Sequence, residues 1–362
     1  MPGGLARIAS DMAAEVVSNQ RGGGSKDVWV IATPDITEES DVAALERRRR
    51  ARNEDLPSRL VENLFWMGRY ADRCDAKARL IRASLALDSR SEAWRHAMHA
   101  CTQFGVLAES ADLAASLFDT SNGTGLGADL RRLEWSATQA RSRLSAEHWR
   151  AIGVLQRQFH EAASSRNDAR ETLDRLVLAL SALAGFALDD MTQDDGWRLL
   201  MLGRRLERVQ FLTTLLALRL CVAPVPTRYE LEWWLDISGG TIAYRTQYLE
   251  QARLTPVLHL LIRDAQNARG LVFQCAEIRR ALAQMTSSGG LAAPEEFFDR
   301  AVSEVAESDF GVLEGVGYTA VAARQSFAQR LTALNDAATQ LSDRLSMRHF
   351  SHTERDVHVV AT

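Results

Sequence analysis

Proline is scarce in this chain and missing from its middle: seven occur in 362 residues, and none falls between Pro57 and Pro224. Alanine, leucine, arginine and glutamate dominate that run, a composition that favours helices. The alternating β-branched residues that strands require are missing there. Cysteine is scarce too. Cys74, Cys101, Cys221 and Cys275 lie far apart in apolar helical contexts, which excludes a paired metal spacing and makes a reduced, cytoplasmic compartment the expectation. The opening Met1-Pro2-Gly3-Gly4 lacks the basic and apolar regions of a secretory signal. Apolar stretches such as 209–223 are too short and interrupted for a membrane span. The net charge is -4 with 25% charged residues, so the general basic footprint of a nucleic-acid binder is absent.

The chain is 46% apolar and long enough for two or three domains or one large one. Periodicity predicts a mainly α fold, an elongated multi-helix bundle preceded by a short glycine-rich N-terminal segment. That segment carries one strand candidate, Val28-Trp29-Val30-Ile31. Three regions follow: 1–50 as head and linker, 56–350 as the helical domain and 351–362 as a tail. A helix is expected from Ser58, with others at 91–118, 128–144, 146–160, 167–188, 195–220, 240–250, 255–263, 268–285, 293–306 and 317–346. Thr192 is the expected cap of the helix at 195–220. Spacing favours long antiparallel helices joined by short loops.

One short pattern occurs twice. Phe65-Trp66-Met67-Gly68-Arg69-Tyr70-Ala71-Asp72-Arg73 and Leu200-Met201-Leu202-Gly203-Arg204-Arg205-Leu206-Glu207-Arg208 both reduce to apolar residues, Gly-Arg, two spacers and an acid-Arg pair. On a helix Gly68 and Asp72 share one face, as do Gly203 and Glu207, and each Arg-Arg pair has four-residue spacing. Two such helices meeting across a pseudo-twofold axis would bring together Arg69, Asp72, Arg73, Arg204, Glu207 and Arg208. The glycines would permit close approach, and the carboxylates would orient arginines toward a phosphate or carboxylate ligand. The same six residues also describe an ion-pair network that sets helix register, and this is the reading they favour.

Further candidates are Tyr244 and Arg245 near Tyr248, and the group Asp264, Asn267 and Arg269, in which Asn267 has the character of an N-cap. His349 and His352 lack a third ligand at convincing spacing, so no metal site is expected. No cysteine has a neighbour that would lower its pKa, and no Gly-x-Ser-x-Gly elbow appears. Arg21 to Asp27 offers backbone N–H groups and Lys26 as a weak phosphate cradle, without Walker spacing.

Residues 56–70, from Leu56-Pro57-Ser58-Arg59 to Met67-Gly68-Arg69-Tyr70, resemble the opening of the bacterial alpha-E domain, a family expected to be all-helical and named for a Glu-Arg motif. Glu207-Arg208 corresponds to that motif, and Ala243 to Tyr248 and Asp264 to Gly270 resemble later family segments. The departures are Asp72 where the family has Glu, Ala268 and Gly270 in place of Pro and Ser, and Trp135 to Arg141 in place of an Ala-Arg-Glu-Asn-Ala-Arg run. Pro2 to Arg7 and Asn19 to Val30 resemble the C-terminal end of circularly permuted ATP-grasp proteins. Together the resemblances imply an auxiliary module of an ATP-grasp peptide or amide ligase system. Such a module would bind the ligase or a peptide-like or anionic ligand, with ATP and magnesium held only by the partner. An enzyme acting on peptide or amide bonds and a purely structural scaffold are the alternatives.

Overall fold

A computed structural model of the chain describes residues 56–107, 112–119, 122–165, 168–222, 224–249, 251–286 and 296–349, together with the backbone of 3–8 and 24–29. The chain divides into two compact units, Met1–Glu54 and Asp55–Thr362. In the first, β1 (Gly3–Ile8) pairs antiparallel with β2 (Gly24–Trp29), Gly3 opposite Trp29 and Ile8 opposite Gly24. The strand expected at 28–31 overlaps β2 only at Val28 and Trp29; Val30, Ile31, the Lys26 side chain and the tail beyond His349 lie outside the described residues.

The second unit is a mainly α-helical bundle. Its helices are α1 (Ser58–Ser84), α2 (Glu92–Gln103), α3 (Leu113–Leu117), α4 (Leu126–Gln139), α5 (Ala146–Ser165), α6 (Ala169–Asp189), α7 (Asp195–Leu220), α8 (Arg228–Ile237), α9 (Thr241–Tyr248), α10 (Leu254–Leu258), α11 (Leu271–Thr286), α12 (Glu296–Ala306) and α13 (Tyr318–His349). The centre is α1 against α7. Leu64, Phe65, Leu80 and Ile81 of α1 and Leu202, Leu206, Val209 and Leu216 of α7 are fully buried. Charged residues of both helices, Arg69, Asp72, Asp75, Lys77 and Glu207, are buried with them, as buried charges are when they are paired. Around this pair, α4 and α6 pack on α1, while α11 and α13 pack on α7. Among the described residues no helix is long and apolar enough to cross a membrane.

Several boundaries differ from the sequence reading. The single helix expected at 91–118 is two, α2 and α3, because the chain turns at Gly105 with φ of 69°, a conformation that glycine adopts without steric cost. Asp194, not Thr192, caps α7 by accepting from the Trp197 N–H at 3.1 Å. The helix α8 was not expected at all. Its start is a capping box in which Thr227 accepts from the Glu230 N–H and the Glu230 side chain accepts from the Thr227 N–H. The helix expected at 255–263 is α10 followed by a π-helical turn, His259–Arg263.

Candidate functional site

The two copies of the repeated pattern meet. A Cβ added at Gly68 would lie 2.0 Å from the Leu200 carbonyl oxygen, and one added at Gly203 would lie 2.2 Å from that of Phe65. Only glycine allows two helix backbones this close. Residue 68 faces 200 and 204, residue 203 faces 65 and 69, and residue 72 faces 204 and 208. Numbers rise together on both sides, so α1 and α7 cross parallel and in register, related by a local pseudo-twofold axis. The expected antiparallel arrangement of neighbours does not hold at the centre. The chain between them, α2 to α6, is long enough to return it to the starting end.

Above the glycines the charges exchange partners. Asp72 accepts from Arg204 Nε at 2.9 Å and from Arg208 Nη2 at 2.6 Å and Nε at 3.0 Å. Glu207 accepts from Arg73 Nε at 2.6 Å and Nη2 at 2.9 Å, and Arg69 Nε lies 2.7 Å from its Oε2. Burial opposes the charge on Asp72, but Arg208 and Arg204 together outweigh it and hold the carboxyl below its ordinary pKa. Burial likewise opposes the charge on Arg73, yet the bidentate Glu207 contact raises its pKa. Arg69 has the reverse balance, with burial winning and the pKa lowered. A second contact fixes Arg69, whose Nη2 donates to Gln210 Oε1 at 2.6 Å.

The ladder is one part of a larger network in which each carboxylate is held by two cations. Asp75 has Arg79 and Arg269, Asp129 has Lys77 and Arg132, and Glu277 has Arg205 and Arg280. Burial brings Arg205 down to about 10. Cations outnumber carboxylates two to one along this seam, in a chain whose net charge is -4.

The two sides of the seam differ. On one side Asp72, Asp75, Arg79, Arg208 and Arg269 surround a cavity of about 30 Å³, room for little more than water. On the other side Arg73, Lys77, Asp129, Arg132, Glu207 and Gln210 line an open cleft of about 330 Å³, with Gln103, Gly105, Thr124 and Thr214 at its walls. Under the pseudo-twofold relation Arg73 corresponds to Arg208 and Glu207 to Asp72. The counterpart of Asp75 is Gln210 and that of Lys77 is Leu212. Arg269 fills the closed side through its 3.0 Å contact with Asp75, whereas the open side is left as a cleft.

Lys77 is the deepest cation of the cleft. Its ammonium donates to Asp129 Oδ2 at 2.6 Å and to the Thr124 carbonyl at 2.5 Å. Asp129 sits in the first turn of α4, where the helix dipole favours a carboxylate, and Arg132 donates to its other oxygen at 2.9 Å. The loop at 122–125 presents Thr124 because Asn122 Oδ1 accepts from the Thr124 N–H. All four oxygens of Glu207 and Asp129 are therefore engaged. Arg73 Nη1 and the third N–H of Lys77 have no protein acceptor among the described residues.

The remaining candidates fall elsewhere. Tyr244 is buried and its hydroxyl donates to the Gln251 carbonyl and accepts from the Arg253 N–H, which fixes the turn after α9. Arg245 is exposed and lines neither cavity. Asp264 accepts from Gln247 Nε2 at 2.8 Å. Asn267 is not a helix cap: it donates to the Leu260 carbonyl and accepts from the Arg269 N–H, tying the loop ahead of α11. That loop delivers Arg269 to the closed side of the seam. Sequence reasoning missed Lys77, Asp129 and Arg132. One signal was present: Lys77 lies one turn beyond Arg73, and the chain has only two lysines, Lys26 and Lys77.

These features define a helical bundle built on a paired Gly-Arg-x-x-acid-Arg crossing. The chain belongs to the alpha-E family, described as a predicted alpha-helical domain with a conserved ER motif, which matches residues 56–350. Within that span Glu207-Arg208 is the one Glu-Arg dipeptide. Uncharacterised proteins of Mycobacterium bovis and of two strains of Mycobacterium tuberculosis are 25% identical to it over 330 residues, 80% of this chain. The chain spans 36% of the length of these curated relatives. No solved structure matches it.

Proposed function

We propose that the chain is a noncatalytic auxiliary module of an ATP-grasp peptide or amide ligase system, and that its open cleft holds an anionic, peptide-like ligand. The observation that carries the ligand half is the imbalance of hydrogen-bonding capacity. Each carboxylate oxygen of the cleft is already paired with a cation, while Arg73 Nη1 and the Lys77 ammonium still have protons to donate. An acceptor anion completes such a site, and guanidinium and ammonium donors are the groups that hold one. A volume of about 330 Å³ is at the low end of small-ligand pockets.

The same pairing argues against the ladder as catalytic machinery. A general base needs a free lone pair within reach of its proton, and Asp72 and Glu207 have theirs committed to arginines. They also face opposite sides of the seam rather than one shared pocket. The resemblance of the head to the end of an ATP-grasp protein supports the partner half, as does the greater length of the curated relatives, which leaves room for a second domain.

Two measurements test the two halves. Titration with N-acetylalanine by calorimetry is expected to give saturable binding that Lys77→Met abolishes, and no heat with the native chain contradicts the ligand half. Quantitative co-purification with a separately expressed ATP-grasp partner is expected to recover both chains. Failure to associate contradicts the partner half.

A further inference from the structure

The cleft does not end at Thr214. That residue also lines a second, larger groove of about 660 Å³ between α7 and α13. Along α7 the residues facing the two spaces are Glu207, Gln210, Phe211, Thr214, Ala217, Leu218 and Cys221, a spacing of three, one, three, three, one and three that keeps one helix face. The two openings thus lie in succession along one face of α7 and share Thr214 as a common wall. From Gln210 to Cys221 this face runs about 16 Å at 1.5 Å per residue, which about five extended residues cover.

The two stretches differ in chemistry. The cleft has Arg73, Lys77 and Arg132. The groove has no lysine or arginine, and apart from Leu218 its lining is small or amide side chains, including Ala217, Ala328, Gln325, Gln329 and Asn335, together with Asp336. Small residues leave room for a main chain. Amide side chains both donate and accept, as the N–H and C=O groups of a peptide require. The charge distribution sets the direction, since a carboxylate is favoured beside Arg73 and Lys77 in the cleft and meets no lysine or arginine in the groove.

Resting on the anion-cleft reading above, we propose that cleft and groove form one site for an extended peptide. The peptide seats its C-terminal carboxylate on Arg73 and Lys77 and runs along α7 toward Cys221, its backbone paired with the amides of α13. Selection is by the free carboxylate and by small side chains.

Cys221 is a built-in reporter of the far end. It is exposed, while Cys74, Cys101 and Cys275 are buried, so a maleimide reads the groove selectively in the intact chain. Acetyl-pentaalanine with a free carboxylate is expected to slow Cys221 alkylation roughly tenfold at ten times its Kd, and the same peptide ending in a carboxamide is not. N-acetylalanine binds without protecting Cys221, being too short to reach it. Ala333→Trp, a surface change that fills the groove, keeps N-acetylalanine binding and removes the pentapeptide's protection. If N-acetylalanine binds but the pentapeptide leaves alkylation unchanged, the continuous site is overturned and the cleft stands. If neither binds, both readings fall. Equal protection by the carboxamide overturns the carboxylate anchor.

Discussion

Asp72 and Glu207 hold equivalent places on two parallel helices, and each is ion-paired to the arginines that belong to the other helix: Arg204 and Arg208 for Asp72, Arg69 and Arg73 for Glu207. The exchange makes the crossing specific, because sliding either helix by one turn would break both pairings together. Removing one partner of a buried pair costs about 3–5 kcal/mol, since it leaves uncompensated charge behind. Asp72→Asn is expected to show a loss of that order in urea unfolding. The loss for Glu207→Gln is expected to be smaller, because the Glu207 side chain is 11% exposed against 4% for Asp72 and its partner Arg73 opens onto the cleft, where water screens the orphaned charge. Equal losses, or none, would contradict this assignment.

The glycines set how closely the helices approach. Replacing Gly68 by Ala gains about 1 kcal/mol of helix propensity, but the new methyl meets a backbone oxygen at 2.0 Å, which cannot move without the helix. Overpacking typically costs about 1–3 kcal/mol, and a backbone obstacle puts this site at the upper end. Gly68→Ala and Gly203→Ala should each lower the melting temperature. The double variant should lose less than the sum, because one separation of the helices relieves both contacts.

Acid stability should fall in two stages. His148 is buried against Phe186, and neither ring nitrogen has a hydrogen-bond partner among the described residues; burial lowers its pKa to about 4. Between about pH 6.5 and 4 the unfolded chain binds a proton here that the folded chain does not, so stability declines with falling pH over that window, by up to about 3 kcal/mol. Asp72, whose pKa is held below the ordinary value, contributes fully above about pH 4 and is lost as pH falls through its folded pKa. Denaturation curves of His148→Phe should flatten the upper stage only, and those of Asp72→Asn the lower one only.

Thiol reactivity provides an independent check on the packing. Burial pushes Cys101 and Cys275 up to about 12 and raises Cys74 as well, while Cys221 is exposed. A thiol-reactive disulfide should therefore modify one cysteine in the folded chain and four after unfolding. A second fast thiol in the native state would mean that the core opens.

Much of the fold could be read along the chain. Periodicity and the lack of proline located most of the helices, and two copies of Gly-Arg-x-x-acid-Arg pointed to the crossing of α1 and α7. What could not be read was the direction of that crossing, because helical periodicity specifies which face is buried but not which way a neighbour runs. The open cleft was also hidden. It depends on α4 bringing Asp129 and Arg132 to Lys77, contacts that span more than a helix turn and leave no local pattern. Asn267 misled for a related reason: its chemistry suits a cap, yet its side chain closes a loop onto Leu260. The capping box at Thr227 and Glu230 was legible in principle, but Pro224 and Pro226 beside it read as an ending.

The central claim is that the cleft takes an anion through Lys77. Because Lys26 and Lys77 are the only lysines, isotope-labelled lysine reports on the cleft with two side-chain resonances, assigned by Lys26→Arg. On titration with N-acetylalanine the Lys77 resonance is expected to shift to saturation while that of Lys26 stays in place. A stationary Lys77 signal, or equal unsaturable shifts of both lysines, would contradict the account.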